Sequence, residues 1–283
     1  MPVPALNASA RARLLPDFTG SPAKPIQVGD WSIPDAHDRR MIVESYRRRG
    51  YTVVQLARTV PTGQDLTAMA GALGLGEPFT PPLYAASSHT TGGISRLTAD
   101  PNADHPFQNR AGQNVHCDGT LQQLGQIPTT VMICVRPAVN GGATYLFNAV
   151  AAYAELRHRD PAAAAQLDHD RALERRSTLV ADQVTFGPAF AIDSCGLPIT
   201  RYSRTATDTY HPADDRAALE RALAFLETAA RPGSRHRIDF SLDAGQALVL
   251  ANDRIGHGRT AYRDDPDAPR LLLRGLFTLK PRA

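Results

Sequence analysis

The 283-residue sequence contains little cysteine and no long apolar run. Its three cysteines, Cys117, Cys134 and Cys195, have no CxxC spacing, which argues against a disulfide framework and against a thiolate zinc site. No stretch approaches the roughly 18 consecutive apolar residues of a membrane span, and the first residues lack the apolar core of a secretory signal. We therefore expect a cytoplasmic protein without a membrane partner.

Phosphate-binding loop motifs and basic blocks are also missing. No strand-like run is followed by GxGxxG or by GxxxxGKS/T, which argues against the nucleotide-binding folds. The formal net charge of +3 comes from interspersed residues of both signs. This pattern predicts no nucleic-acid partner but is compatible with a pocket for small anions. With 42% hydrophobic residues, the chain is long enough to bury a substantial core.

Short apolar runs bounded by turn residues dominate the second half of the sequence. Strands are predicted at 51–57, 129–137, 143–149, 246–252 and 270–279. Helices are predicted at 37–50, 65–76, 150–168 with a break near Pro161, and 214–231. This order of elements predicts a mainly β fold with appended helices, an antiparallel sandwich or jelly roll rather than a doubly wound parallel sheet.

The stretch NVHCDGT at 114–120 places a histidine and a carboxylate two positions apart. In a strand, residues i, i+2 and i+4 share one face, so Asn114, His116 and Asp118 are predicted to point the same way. An imidazole and a carboxylate so placed suit two neighbouring positions of a six-coordinate Fe(II) ion. A chance HxD is the alternative, because the chain has nine histidines and many aspartates.

A second histidine occurs in a matching context. His257 follows an apolar strand and a polar turn, and Gly256 and Gly258 on either side leave backbone room near a ligand. A turn histidine with a local hydrogen bond is the alternative. Further on, Arg270 and Arg274 are predicted on one face of a strand. Two arginines on an otherwise apolar strand need anionic partners.

Four segments in this order resemble motifs of the Fe(II)/2-oxoglutarate-dependent dioxygenases, in the taurine dioxygenase and clavaminate synthase-like branch. They are HCD (116–118), GGATYLFNA (141–149), LVLANDRIGHGR (248–259) and RLLLR (270–274). The resemblance implies a double-stranded β-helix core, cupin-like, at about 114–280. The N-terminal strand-helix region at about 20–80 is compatible with it, and the polar stretch at about 80–113 is expected to be a lid or substrate loop. The whole chain, 1–283, is then expected to be a single catalytic domain.

The resemblance also implies roles for individual residues. His116, Asp118 and His257 correspond to the 2-His-1-carboxylate set that binds Fe(II) and leaves positions for 2-oxoglutarate and O₂. Thr144 and Arg270 correspond to the threonine and the arginine that bind 2-oxoglutarate, with Arg270 as a bidentate partner of its far carboxylate. Filling a strand is the alternative role for Thr144.

The expected partner is a small polar substrate that carries a carboxylate, such as an amino acid or a derivative in specialised metabolism. Arg274 corresponds to a position that reaches an anionic group of the substrate in relatives, and covering the core is its alternative role. Further candidate substrate contacts lie in or beside the expected lid: Tyr84, Ser88, His89, Arg96, Gln108, Asn109 and Asn114.

The expected reaction is hydroxylation of an unactivated C–H bond, because Asp118 occupies the position that family halogenases leave open for a halide. Desaturation, epoxidation or cyclisation of a larger or carrier-bound natural-product scaffold is the alternative with the same cofactors. A cupin-like metal-binding module without oxygen chemistry and a zinc hydrolase are the other classes considered, although no HExxH motif is present. A homo-oligomer is left open.

Overall fold

The structure is a computed structural model that describes residues 15–20, 22–29, 35–84, 89–100, 109–177, 180 and 182–283. Its helices are α1 (Ala36–Arg49), α2 (Gly63–Ala72), α3 (Ala149–Arg159), α4 (Pro161–Ala165) and α5 (Arg216–Ala229). Its strands are β1 (Ile26–Val28), β2 (Tyr51–Leu56), β3 (Thr90–Thr91), β4 (Ile94–Leu97), β5 (Gln113–His116), β6 (Thr129–Arg136), β7 (Asn140–Gly141), β8 (Thr144–Phe147), β9 (Leu173–Arg176), β10 (Val184–Gly187), β11 (Phe190–Ile192), β12 (Pro198–Thr200), β13 (Asp208–Tyr210), β14 (Arg237–Phe240), β15 (Gln246–Ala251), β16 (Gly256–Arg259), β17 (Tyr262–Arg263) and β18 (Leu271–Phe277).

Two sheets form the sandwich of a double-stranded β-helix, in agreement with the predicted fold. The larger sheet has the order β1-β2-β15-β6-β18-β4-β3, and the smaller has the order β14-β8-β16-β5. Their facing sides meet in an apolar layer that includes Met132, Leu146, Leu248 and Leu272. β6, β15 and β18 are apolar at most positions because both of their faces are covered.

Helices cover the outer face of each sheet. α1 and α2 pack on the larger sheet through residues such as Ile42 and Leu66, and α3, α4 and α5 pack on the smaller sheet around Tyr153 and Leu226. The predicted break at Pro161 is confirmed, since α3 ends at Arg159 and α4 begins with the proline, which is favoured at a first helical position. No helix in the described ranges is long and apolar enough to cross a membrane.

The N-terminal region contributes strands to the core sheet. β2 is buried at five of its six positions and pairs with β15, and β1 extends the same sheet by parallel pairing with β2. This side of the sandwich therefore begins well before residue 114. β2 takes a central position because its run of β-branched residues, Thr52, Val53 and Val54, suits a strand with both faces covered.

Part of the segment expected to be a lid is a β-hairpin. β3 and β4 pair antiparallel, and β4 pairs in turn with β18. The connection is Gly92-Gly93, with φ of 56° and 77°, the positive values that a two-residue hairpin turn needs. β9 to β13 form two further small sheets that the sequence analysis missed, because runs such as LERR and DTY lack apolar alternation.

Candidate metal centre

Two neighbouring strands bring the predicted histidines together. β5 ends at His116, β16 contains His257, and the two residues face each other in antiparallel pairing. Their ring centroids lie 4.4 Å apart. One donor atom each from His116, Asp118 and His257 lies within 4.8 Å of the other two, and all three residues are buried. Strand pairing thus assembles a three-residue cluster from segments that are distant in the sequence.

Asp118 reaches this cluster from a turn rather than from a strand. Because β5 ends at His116, the predicted alternation along one strand does not extend to Asp118. The buried side chain of Asn252 fixes the turn: its Oδ1 accepts from the Asp118 N–H at 2.7 Å, and its Nδ2 donates to the Asp118 carbonyl at 3.2 Å. Asn114 is exposed, and its contact with the cluster is made by its carbonyl oxygen, 2.9 Å from Nδ1 of His116.

The Asp118 carboxylate has a partner on each oxygen. The Thr130 hydroxyl donates to Oδ2 at 2.9 Å, and Nη1 of Arg274 donates to Oδ1 at 2.6 Å. Oδ2 also lies 3.6 Å from Nε2 of His257. Burial raises the pKa of Asp118, but the Arg274 guanidinium and the hydrogen bond from Thr130 outweigh that effect and hold the pKa well below its usual range. The carboxylate is therefore ionised and oriented, as a metal ligand must be.

Burial favours the neutral form of both histidines. Burial lowers the pKa of His116, although Asp118 acts in the opposite direction. Burial and the neighbouring His116 lower the pKa of His257 to about 3. Nδ1 of His116 contacts the Asn114 carbonyl, which leaves Nε2 for a metal. Two neutral imidazoles and one carboxylate are the donor set of a facial Fe(II) site, so the residues present fit that ion.

A buried ion pair supports the backbone on both sides of Asp118. Nη1 of Arg175 donates to the carbonyl oxygens of Cys117 and Gly119, each at 3.2 Å. Nε of Arg175 pairs with Asp208 at 3.1 Å, and both side chains are almost completely buried. A charged network therefore holds the turn that carries the carboxylate, and this limits how far Asp118 can move.

A polar pocket lies beside the cluster. Thr144, Arg270 and Arg274 line it together with both histidines, so the face predicted for the two arginines is confirmed. The Arg270 backbone N–H donates to Oδ1 of Asp264 at 2.9 Å. In the part of the chain that is described, the Arg270 guanidinium has no carboxylate within ion-pair distance, and it lies 5.1 Å from the ring centre of Tyr262. Burial lowers the pKa of Arg270, and Tyr262 partly offsets this effect. A buried guanidinium without an anion is costly, so this end of the pocket fits a ligand carboxylate.

Arg259 connects the pocket to the last residues of the expected lid. Its Nη2 donates to the carbonyl oxygens of Asn109 at 2.6 Å and Ala111 at 2.9 Å. Its guanidinium lies 4.8 Å from the ring centre of Tyr262, and burial together with Arg270 lowers its pKa to about 10. The end of the lid is thus attached to the strand that carries His257.

The glycines beside His257 provide packing room on the opposite face of β16. A Cβ on Gly258 would lie 2.3 Å from the ring of Tyr145, and one on Gly256 would lie 2.7 Å from Val115. Contacts this short do not occur, so neither position tolerates a larger residue without a shift of its neighbours. The space that the two glycines leave is filled by side chains of the outer hydrophobic layer.

The remaining candidate substrate contacts are only partly within the described residues. Gln108 and Ser88 lie outside them, as does the side chain of Tyr84, whose backbone ends a short 3-10 turn at Pro82–Tyr84. Arg96 is exposed on β4, whereas the next residue, Leu97, lines the pocket. The pocket therefore contains Arg274 but not Arg96 from the predicted set.

Four buried residues around the cluster were missed by the sequence analysis: Thr130, Arg175, Asn252 and Arg259. Thr130 and Asn252 carry a usable signal, because each is a polar residue within or directly after a buried apolar strand and needs a hydrogen-bond partner there. Arg175 has no such signal, since its partners come from other segments of the chain.

The fold and the cluster together define a class: a double-stranded β-helix that presents two histidines and one carboxylate for a mononuclear, non-haem iron ion. A profile of the family described as "Taurine catabolism dioxygenase TauD, TfdA family" matches residues 12–276. The chain belongs to this TauD/TfdA family and is an Fe(II)- and 2-oxoglutarate-dependent dioxygenase. The alternatives of a non-oxidative cupin-like module and a zinc hydrolase are thereby set aside.

Two curated relatives are named uridine-5'-phosphate dioxygenase. The protein from Amycolatopsis sp is 40% identical over 264 residues, which cover 92% of this chain and 94% of the relative. The protein from Streptomyces sp is 39% identical over 263 residues, which cover 90% and 93%. Both alignments extend over nearly the full length of the two chains.

Solved structures with the same fold are less similar in sequence. Asparagine oxygenase in complex with Fe(II), 3-hydroxyasparagine and succinate aligns with a TM-score of 0.68 at 16% identity, over 88% of this chain and 81% of that chain. A taurine dioxygenase from Burkholderia xenovorans aligns with a TM-score of 0.63 at 18% identity, over 93% and 89%. At these identities the alignments show the fold alone.

Proposed function

We propose that this protein oxidises uridine 5'-phosphate, or a closely related nucleoside 5'-monophosphate, with Fe(II), 2-oxoglutarate and O₂. The observation that carries the proposal is the 40% identity, over 92% of the chain, to the Amycolatopsis sp relative named for that substrate. A phosphomonoester is anionic, as the expected substrate is, but it carries a phosphate where the sequence analysis expected a carboxylate. The carboxylate-bearing amino acid remains the second candidate, because amino-acid oxygenases share the fold.

The proposal assigns metal binding to His116, Asp118 and His257. It assigns the cosubstrate to Thr144 and Arg270, with the Arg270 guanidinium as a bidentate partner of the far carboxylate of 2-oxoglutarate. Support comes from the pocket lining and from the absence, in the described ranges, of a protein carboxylate within ion-pair distance of the Arg270 guanidinium. When bound, Fe(II) with 2-oxoglutarate supplies the oxidant from O₂.

The residues of the chain contribute to the reaction by holding and orienting the metal and the reactants. The buried cluster keeps water away from the reacting atoms, and the partners of Asp118 fix the ligand geometry before the cofactors arrive. Arg259 restrains the end of the lid next to the pocket. Hydroxylation is the proposed outcome, and desaturation or cyclisation would use the same residues.

Substrate-stimulated succinate formation tests the proposal. Protein loaded anaerobically with Fe(II) and 2-oxoglutarate is exposed to O₂ with uridine 5'-phosphate, uridine, cytidine 5'-phosphate, asparagine, arginine or taurine. We expect uridine 5'-phosphate to give the largest stimulation and an oxidised nucleoside product in equal amount to succinate. The His257→Ala protein serves as the blank for uncoupled turnover.

The alternatives predict different patterns in the same assay. Stimulation by an amino acid and not by the nucleotide would contradict the substrate proposal and favour the second candidate. Equal stimulation by uridine and its 5'-phosphate would contradict the requirement for a phosphate, while keeping a nucleoside as the substrate.

A further inference from the structure

Arg274 has an unexpected neighbour. It lies in β18 opposite Met132 of β6, and its buried guanidinium donates through Nη1 to Oδ1 of Asp118 at 2.6 Å. The side chains of Arg274 and Asp118 are 4% and 2% exposed. The position that resembles a substrate-binding arginine therefore contacts an iron-ligand residue directly.

This contact determines which oxygen of Asp118 faces the metal position. Oδ1 is bound to Arg274, whereas Oδ2 accepts from Thr130 and lies 3.6 Å from Nε2 of His257. A charge-assisted hydrogen bond restricts rotation of the carboxylate more strongly than a neutral one does. Oδ2 is therefore presented towards the two histidines before any metal binds.

Burial makes it unfavourable for Arg274 to leave Asp118 and pair with another anion. Separating Arg274 from Asp118 would leave two charges without their partner in a region shielded from water, and such a separation is strongly unfavourable. A substrate anion that recruited Arg274 would have to compensate for that loss. The pair is thus better suited to hold the ligand than to bind and release a substrate in every turnover.

We propose that Arg274 is a positioning residue for the iron-ligand Asp118 and does not anchor the anionic group of the substrate. Its guanidinium holds Oδ1 of the carboxylate, so that Oδ2 completes the donor set with His116 and His257. One consequence rests on the proposed function: residues other than Arg274 bind the phosphate of the substrate.

Iron binding without substrate is the first test. Fe(II) is titrated anaerobically in the presence of 2-oxoglutarate, and both the visible charge-transfer band and the metal-dependent rise in unfolding temperature are recorded. Arg274→Gln should weaken Fe(II) binding by about 10- to 100-fold, in the range known for residues that support metal ligands. Arg274→Lys should recover part of this loss because it retains the charge.

The matched control is Arg237→Lys, a change at another arginine that pairs with an aspartate, Asp239, and that lies in neither the cluster nor the pocket. It should leave the Fe(II) affinity unchanged. Thr130→Val, which removes only the hydroxyl bonded to Oδ2, should weaken Fe(II) binding by a smaller factor. Arg274→Lys decides the matter if Arg274→Gln does not fold. Wild-type Fe(II) affinity in Arg274→Gln, or in Arg274→Lys if Arg274→Gln does not fold, would overturn the proposal.

Substrate kinetics provide the second test. With Arg274→Lys, the ratio of kcat/KM for uridine 5'-phosphate to kcat/KM for uridine should equal the wild-type ratio, because loss of ligand positioning affects both substrates alike. A ratio that falls tenfold or more, with unchanged Fe(II) affinity, would assign Arg274 to the phosphate and overturn the proposal. If wild-type protein turns over neither compound, the proposed substrate is wrong, and the Fe(II) titrations still decide the role of Arg274.

Discussion

Two aspartates are shielded from water, Asp118 in the metal centre and Asp168 in the outer helical layer, and the two regions stabilise the carboxylate charge to different extents. Burial raises the pKa of both. At Asp118 this effect is outweighed by the Arg274 guanidinium and the Thr130 hydroxyl, so its pKa lies below the usual range. At Asp168 the hydrogen bond from Tyr153 offsets only part of it, and the pKa remains raised to about 6. The metal centre is built to keep a carboxylate ionised, whereas the helical layer merely accommodates one.

The largest expected difference between the two regions comes from neutralising each aspartate. Asp118→Asn should reduce substrate-dependent succinate formation below about one-thousandth of wild type, because an amide is a poor ligand for Fe(II) and loses the pair with Arg274. Asp168→Asn should retain activity within about twofold, as a residue remote from the chemistry. Rates are measured with Fe(II) and 2-oxoglutarate in excess. Comparable losses in both variants would contradict the division between the two regions.

Conservative replacement of an arginine in each region sharpens the comparison. Arg270→Lys keeps the charge but loses the fork that pairs with a carboxylate, so the KM for 2-oxoglutarate should rise about 10- to 100-fold. Arg171→Lys, which alters a guanidinium stacked 3.9 Å over the ring of Phe186 in the outer layer, should leave that KM unchanged. Steady-state rates at varied 2-oxoglutarate measure both. An unchanged KM in Arg270→Lys would move the anchor to another cation of the pocket.

Buried asparagines provide a third contrast. Asn252→Ala removes three hydrogen bonds to the Asp118 turn and Ile127, and should lower the free energy of unfolding by about 2–3 kcal/mol and weaken Fe(II) binding about tenfold. Asn148→Ala removes the N-cap of α3 and the hydrogen bond to the Pro16 carbonyl, and should cost about 1–2 kcal/mol without affecting Fe(II). Denaturant unfolding and anaerobic Fe(II) titration separate the two effects. An Fe(II) affinity lowered equally in both variants would show that general loosening, and not the ligand turn, is responsible.

The contrast with the smallest effect on activity concerns the pH dependence of stability at Asp168. Its pKa is about 6 in the folded chain and about 3.9 when unfolded, so the folded state holds more protons between these values. Its stabilising contribution is therefore present below pH 4 and is lost as the pH rises through 6. Relative to Asp168→Asn, wild-type protein should lose about 2–3 kcal/mol of unfolding free energy between pH 4 and 7. A constant difference across this range would place the carboxyl in an ordinary aqueous environment.

Local patterns were sufficient to predict the framework of the centre. The HxD spacing, the isolated His257 and the alternation of Arg270 and Arg274 along a strand are visible in short segments. The boundaries of β6, β15 and β18 also agree with the apolar runs to within two residues. The helices that cover the sheets follow from their periodic apolar positions in the same way.

The supports of the centre could not be predicted from such patterns. Asn252 and Asp118 are 134 positions apart, and Arg274 and Asp118 are 156 apart. Contacts of this range depend on which strands become neighbours and in what register, and a single sequence does not encode that pairing locally. The Arg274 contact is the clearest example: the spacing predicted the correct face of the strand, but not the carboxylate that lies opposite.

The direct pairing of His116 with His257 has a consequence for the lifetime of the protein. An ion bound to both side chains is a removable cross-link between the edge strand β5 and the strand β16. It closes a chain loop of about 140 residues, and closing long loops restricts the unfolded ensemble the most. Because a ligand that binds only the folded state stabilises it in proportion to the logarithm of its concentration, iron supply would regulate how long each molecule survives as well as how fast it works.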